Sequence, residues 1–377
     1  MSGIFRFLLA YTVLISHLSG VASLTHAGHY AVGAFFVLSG FAITAALNEV
    51  YLFDGARFFR NRVMRIAPLY FLACGVTFLL IRFLPHAGLF MPRWRFQMSG
   101  ENLLANFSLF PLAFSEPNFR LIEPAWSVAV ETIMYALLYL SMARSARHAA
   151  IFLAGGVAYH LLQLHAGTGF AYRYFAIPSA LLSYAIGALT YFLAKNFDCR
   201  TPRAFIPIAI AWLGHLVVAN ALAPQTYVEN LGYYLNTVLA AAVVMTTPRR
   251  LGGPFIGSLD RYLGELSYPV FLFQWTAAFV AAQFLPVNEW RGWSLVAATT
   301  PVIVLFSATA AWFNTRFVEP ARAQVRTASD SDGANTIVGF ARRPLAMLES
   351  GRTLVSRSSA IGVRRQPPAS GRCARAD

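Results

Sequence analysis

Arg6 and His17 stand ten residues apart inside the first apolar stretch of the chain. Ionisable side chains within an apolar helix are costly, and where they occur they mark a functional site by default. Eleven steps along a helix return to nearly the same direction, so the two side chains share one face about 16 Å apart along the axis. Arginine suits phosphate oxygens, and imidazole suits proton transfer near neutral pH. Glu131, five residues into a later apolar stretch that opens at Trp126, is expected at a depth similar to that of His17. A carboxylate beside an imidazole would orient the ring and stabilise its protonated form, the arrangement of general-base catalysis. Arg57, Arg60, Arg62 and Arg65 crowd the start of the third apolar stretch. Arg62 and Arg65 share a helix face and offer two guanidinium forks to an anionic ligand. Each group also has a plainer reading, with His17 and Glu131 as separately bonded packing residues and the arginines as topological anchors.

The elements that must position these groups are membrane helices. The chain is 57% hydrophobic and only 12% charged, against about 25% charged for a soluble domain. Ten apolar stretches come near the length of about 20 residues that crosses a bilayer: 4–22, 31–47, 67–84, 126–143, 149–164, 174–194, 205–222, 231–247, 263–285 and 295–312. Residues 103–114 are apolar but too short, and are read as interfacial or re-entrant. With the N-terminus inside, the cytoplasmic loops take the larger share of positive charge, from the Arg57 to Arg65 cluster to Arg249, Arg250 and Arg261. That asymmetry predicts an all-α polytopic membrane protein of about ten transmembrane helices with both termini cytoplasmic.

Residues 1–324 form the membrane domain in this reading, and 325–377 a basic, disordered cytoplasmic tail that either attaches to anionic lipid or is a solvated extension. The net charge of +14 does not point to nucleic acid, because the arginines fall between apolar spans and not on one soluble face. Cys74, Cys199 and Cys373 form no disulfide framework, and no histidine pair has zinc-protease spacing, so no metal site is expected. The N-terminal stretch loosely fits a signal peptide ending at Val21-Ala22-Ser23. Ser16 and His17 within it, and a second apolar stretch directly after it, favour a retained helix.

Taken together the motifs resemble the membrane-bound acyltransferases of family 3, which acylate bacterial surface and secreted carbohydrates. Arginine, ten residues, then histidine is matched by Arg6 and His17. A Val-x-x-Phe-Phe-Val-x-Ser-Gly-Phe run is matched by Val32, Phe35, Phe36, Val37, Ser39, Gly40 and Phe41. Arg62, Arg65, Ile66 and Pro68 match the arginine-rich opening of the third span, and Trp126, Ser127, Glu131 and Tyr135 match a Trp-Ser-x-x-x-Glu motif with its following tyrosine. Residues 263–268 look like a Leu-Gly-x-x-Ser-Tyr motif ending at Tyr268, and Glu319-Pro320 closes the resemblance, which covers residues 1–324. Two departures stand out. Gln274 occupies a position where many members have histidine, and Gly3 replaces an acidic residue often found before the arginine.

The resemblance implies an O-acyltransferase of a bacterial inner membrane, with no permanently bound cofactor and with acyl-CoA, most often acetyl-CoA, as co-substrate. Arg6, Arg60, Arg62 and Arg65 would hold the phosphates of the donor, while His17 with Glu131 as its partner would deprotonate a hydroxyl of a carbohydrate or glycolipid acceptor. Ser39, Trp126, Ser127, Tyr268 and Gln274 would line the pocket. The rival class is a transporter or flippase that uses Arg6, His17 and Glu131 as a proton or substrate path. Against it, the two halves of the chain show no repeat of the kind common in transporters.

Overall fold

The computed structural model describes residues 3–21, 24–95, 99–114, 119–197, 199–248 and 252–327. The tail from residue 328 onward, with Cys373, and the Arg249-Arg250 pair lie outside the described residues, as does the Ala22-Ser23 part of the signal-peptide match.

Fifteen helices follow one another among the described residues: α1 (Gly3–Leu18), α2 (Thr25–Glu49), α3 (Gly55–Phe83), α4 (Ala87–Phe90), α5 (Gly100–Ser108), α6 (Ala125–Leu137), α7 (Ala146–His165), α8 (Phe170–Tyr174), α9 (Ile177–Asn196), α10 (Pro202–Leu222), α11 (Gln225–Tyr227), α12 (Tyr233–Thr246), α13 (Pro254–Ala282), α14 (Trp293–Phe313) and α15 (Glu319–Thr327). No strand occurs among these residues. The start of a helix leaves backbone N–H groups unpaired, and side chains of Asp54, Ser99, Ser145 and Thr201 accept from them at α3, α5, α7 and α10. Wider π turns extend α6 over Leu138–Met142 and join α14 to α15 over Asn314–Val318.

Each of the ten apolar stretches is helical over most of its described length. Among the described residues six helices are long and apolar enough to cross a membrane: Thr25–Glu49, Gly55–Phe83, Ala125–Met142, Ile177–Asn196, Pro202–Leu222 and Trp293–Arg326. The others fall short for visible reasons. Helix α1 has only 16 residues and α12 only 14. Helix α7 carries His148, His160 and His165, and α13 carries Asp260, Arg261, Glu265 and Gln274. The exterior remains apolar, as a multi-pass membrane protein requires, with Ile206, Ile210, Leu213 and Val217 of α10 all exposed.

Helix α13 is the hub. It packs along α1 and α14, while α2 packs along α1, α9 and α12. The α2–α9 contact is close enough that a Cβ on Gly40 would lie 2.3 Å from the Tyr184 carbonyl oxygen, and one on Gly187 2.1 Å from that of Val37. Paired glycines of this kind let helix backbones approach each other directly, which places Ser39 of α2 toward the interior.

Residues 103–114, too short to span, form α5 and the turn Phe110–Ala113. The Tyr70 hydroxyl, midway along α3, donates to the Asn106 carbonyl at 2.6 Å. The fully buried Asn106 amide donates to Phe119 O at 2.9 Å, and its oxygen accepts from Leu121 N at 2.8 Å. One asparagine thus satisfies the backbone of the segment that leads into α6 and its Glu131.

Candidate active site

Helix α1 lies along α13 in one register. The Asp260 carboxylate accepts from Ile4 N at 3.0 Å, stabilising the N-terminal end of α1, where negative charge is favoured. Gly3 sits so close to α13 that a Cβ there would come within 1.8 Å of the Asp260 carbonyl oxygen. This explains why a glycine, and not an acidic residue, precedes Arg6. From that anchor the shared face of α1 meets α13 twice. Arg6 lies against Gly264, and fourteen residues on from Gly3, His17 Nδ1 lies 2.9 Å from Gln274 Oε1.

The fully buried Gln274 fixes the chemistry of the imidazole. Its Nε2 donates to the Phe271 carbonyl at 2.8 Å, so its oxygen faces the ring. An amide oxygen only accepts, so His17 carries a proton on Nδ1, and Nε2 is left as the basic nitrogen. This overturns the expected pairing of His17 with Glu131. Glu131 Oε1 accepts instead from Ser39 Oγ at 2.7 Å and from Tyr135 Oη at 2.5 Å. Helix register is the reason: α13 stands against the His17 side of α1, whereas Glu131 of α6 faces α2.

Arg62 is buried, with its guanidinium 5.5 Å from the Phe58 ring centre, 5.8 Å from Tyr135 and 5.9 Å from Tyr51. Aromatic faces stabilise the cation while leaving its donors for another partner. Both Arg6 and Arg62 have a buried Nε with no hydrogen-bond partner among the described residues.

These groups line a series of adjoining cavities. An arginine cavity of about 480 Å³ includes Arg6, Arg65, Arg261, Tyr268, Glu319 and Arg322 in its wall. It shares Arg6, Arg65 and Tyr268 with a central cavity of about 130 Å³, whose wall also carries Arg62, Ser39, Glu131 and Tyr135. Val32, Ser127 and Phe271 then divide the central cavity from a histidine cavity of about 70 Å³ holding His17 and His29. Trp126 and Phe175 separate this in turn from an aromatic cavity of about 480 Å³ whose wall includes Phe114 and Tyr172. Arg6, Arg62 and Arg65 are thereby brought together. Arg60 is not: it lies exposed on α3, outside these walls.

The family model of the acyltransferase domain, acyltransferase family 3, matches residues 4–312. The chain belongs to this family. No curated protein and no solved structure matches it.

In this acyltransferase the cavities join residues from both ends of the chain, and several wall residues escaped sequence reasoning. Tyr51 and Phe58 cage Arg62 but read as ordinary aromatics. Arg322 lies just inside the expected domain boundary at residue 324 and carries no role in the sequence reading. The structure shows α15 as a helix through Thr327, across the expected boundary at residue 324, with Glu319 accepting from Arg322 at 2.6 Å and from Arg326. Arg57 holds α15 against α3, its Nη2 donating to the Arg326 carbonyl at 2.6 Å. The polar Glu319-Pro320 start of an arginine-bearing helix was the available signal. His29 gave none, since a lone histidine at a helix start is usually interfacial.

Proposed function

We propose that this acyltransferase moves an acetyl group from acetyl-CoA to a hydroxyl of a surface or secreted carbohydrate. It works as a ten-span protein of a bacterial inner membrane with both termini in the cytoplasm, the orientation that its arginine-rich loops favour. Acetyl-CoA enters the arginine cavity, where Arg6 and Arg65 meet its phosphates, with Arg62 next along the path. The thioester reaches the histidine cavity, and the acceptor sugar approaches through the aromatic cavity, where Trp126, Tyr172 and Phe175 offer faces to a pyranose ring.

The His17 Nε2 takes the proton of the acceptor hydroxyl as its oxygen attacks the thioester carbonyl carbon. Collapse of the tetrahedral intermediate breaks the C–S bond, and the imidazolium returns the proton to sulfur, so that an ester and CoA thiol leave. Positioned bases of this kind contribute about 10² to 10⁴ in rate. Gln274 acts through His17, as a positioning residue. The observation that carries the reading is the Nδ1 to Gln274 hydrogen bond, which leaves a basic nitrogen on a histidine whose cavity adjoins one lined by three arginines.

The test is to supply purified protein in lipid vesicles with acetyl-CoA and extracted surface glycan, following free thiol and the mass of the glycan. Thiol release coupled to acetyl ester formation is expected, and acetyl-CoA should bind more weakly when Arg62 and Arg65 are both replaced by alanine. Intact acetyl-CoA after prolonged incubation with a full set of glycans would refute the reading.

A further inference from the structure

Glu131 needs a role once its hydrogen bonds are seen to go to Ser39 and Tyr135 and not to His17. Among the described residues it forms no ion pair with Arg62, which rests on aromatic rings instead. Both hydrogen bonds it accepts, from Ser39 and Tyr135, fall on Oε1. A carboxylate has about four acceptor sites across its two oxygens, and Oε2 of Glu131, a residue that lines the central cavity, carries no hydrogen bond among the described residues. The central cavity stands between the arginine cavity and the histidine cavity, sharing wall residues with each. Arg6 and His17 are about 16 Å apart along α1, a gap that an extended pantetheine arm bridges.

Resting on the acyl-CoA reading above, we infer that Glu131, held by Ser39 and Tyr135, is the recognition site for the pantetheine arm of the donor, accepting an amide N–H through Oε2. With the phosphates at the arginine end and the thioester at His17, the segment lying across Glu131 is the part of the donor that carries two secondary amides and a gem-dimethyl group. The wall matches that chemistry. Glu131 offers an acceptor for an amide N–H, the Ser39 and Tyr135 hydroxyls fix its orientation, and Val32, Leu38 and Ile43 offer apolar surface to the methyl groups. An N–H donated to a carboxylate makes a charge-assisted bond, about twice as strong as a neutral one. No covalent step is assigned to Glu131; its contribution is to binding.

The experiment measures inhibition of acetyl transfer by two fragments of the donor, pantetheine, which has the amides and no phosphate, and adenosine 3′,5′-bisphosphate, which has phosphates and no arm. For Glu131→Gln the inhibition constant of pantetheine should rise about tenfold, the scale of a charged hydrogen bond made neutral, while that of the bisphosphate stays within a factor of two. Arg65→Ala should show the reverse pattern. Ser39→Ala keeps the carboxylate and releases its orientation, so it gives a smaller loss for pantetheine and serves if Glu131→Gln fails to fold. An unchanged pantetheine constant in a folded Glu131→Gln whose turnover has collapsed would overturn the inference and return Glu131 to the chemical step. If wild type is inhibited by pantetheine but not by the bisphosphate, the arm site stands and the donor is a carrier-borne phosphopantetheine thioester instead of CoA. Inhibition by neither fragment, with transfer intact, overturns both.

Discussion

An imidazole accepts a proton only through the nitrogen that does not already carry one, and here an amide makes that choice. Removing the base in His17→Ala should lower turnover by at least about 10² while leaving the folded amount unchanged, measured as thiol release per mole of detergent-purified protein. Gln274→Ala leaves the imidazole in place but frees its tautomer and tilt. We expect about a tenfold fall in kcat, near the worth of one hydrogen bond, with KM for acetyl-CoA unaltered. Combined with Glu131→Gln, the two losses should multiply, because groups without a shared contact add in free energy within about 0.5 kcal/mol. A double mutant no worse than the poorer single one would mean that they act as a unit. The sequence marks His17 as a candidate base, since a polar ring inside an apolar helix is costly. Its partner was not legible, because Gln274 is 257 residues away and charge logic points to the nearer-seeming carboxylate of Glu131. Only the register set at Gly3 and Asp260 decides between them.

Helices are legible from hydropathy because an apolar stretch of sufficient length has no other way to satisfy its backbone in a membrane. What hydropathy does not encode is which faces meet. The α2–α9 contact is a case in which a single atom matters, as Gly187 has no room for a Cβ, whereas Gly155 on α7 has nothing within 4 Å of one. Gly187→Ala should therefore destabilise the protein by about 1–3 kcal/mol through overpacking, seen as a lower thermal midpoint in detergent, and Gly155→Ala should leave it unchanged. A displaced α2 carries Ser39 with it, so activity should fall in the first variant alone. Helix α15 escaped the sequence for the opposite reason. Its face is polar and arginine-rich, so hydropathy gives no helix there, and what holds it is bonding from Arg57 and Asn61 of α3.

At the scale of the molecule, residues from the first to the last helix among the described residues wall a series of adjoining cavities, so no fragment of the chain holds the whole candidate site. Arg6 and His17 come from α1, Ser39 from α2, Arg62 and Arg65 from α3, Glu131 from α6, Gln274 from α13 and Arg322 from α15. The partition of Val32, Ser127 and Phe271 between the central and histidine cavities has a consequence in bioenergetics. A polar path through a protein in an energised bilayer is a route for ion leakage, driven by about 2.3 kcal/mol per charge per 100 mV. On the proposed donor path, the side chains between Arg6 and His17 would act as electrical insulation as well as a wall. Phe271→Ala should dissipate an imposed potential in sealed proteoliposomes, read with a voltage-sensitive dye; potentials that decay as slowly as in wild type would show that the seal lies elsewhere. A transferase working on the proposed path would have to keep two compartments in chemical contact and electrically apart, and on that path a loss of bulk at Phe271 would cost the cell energy as well as catalysis.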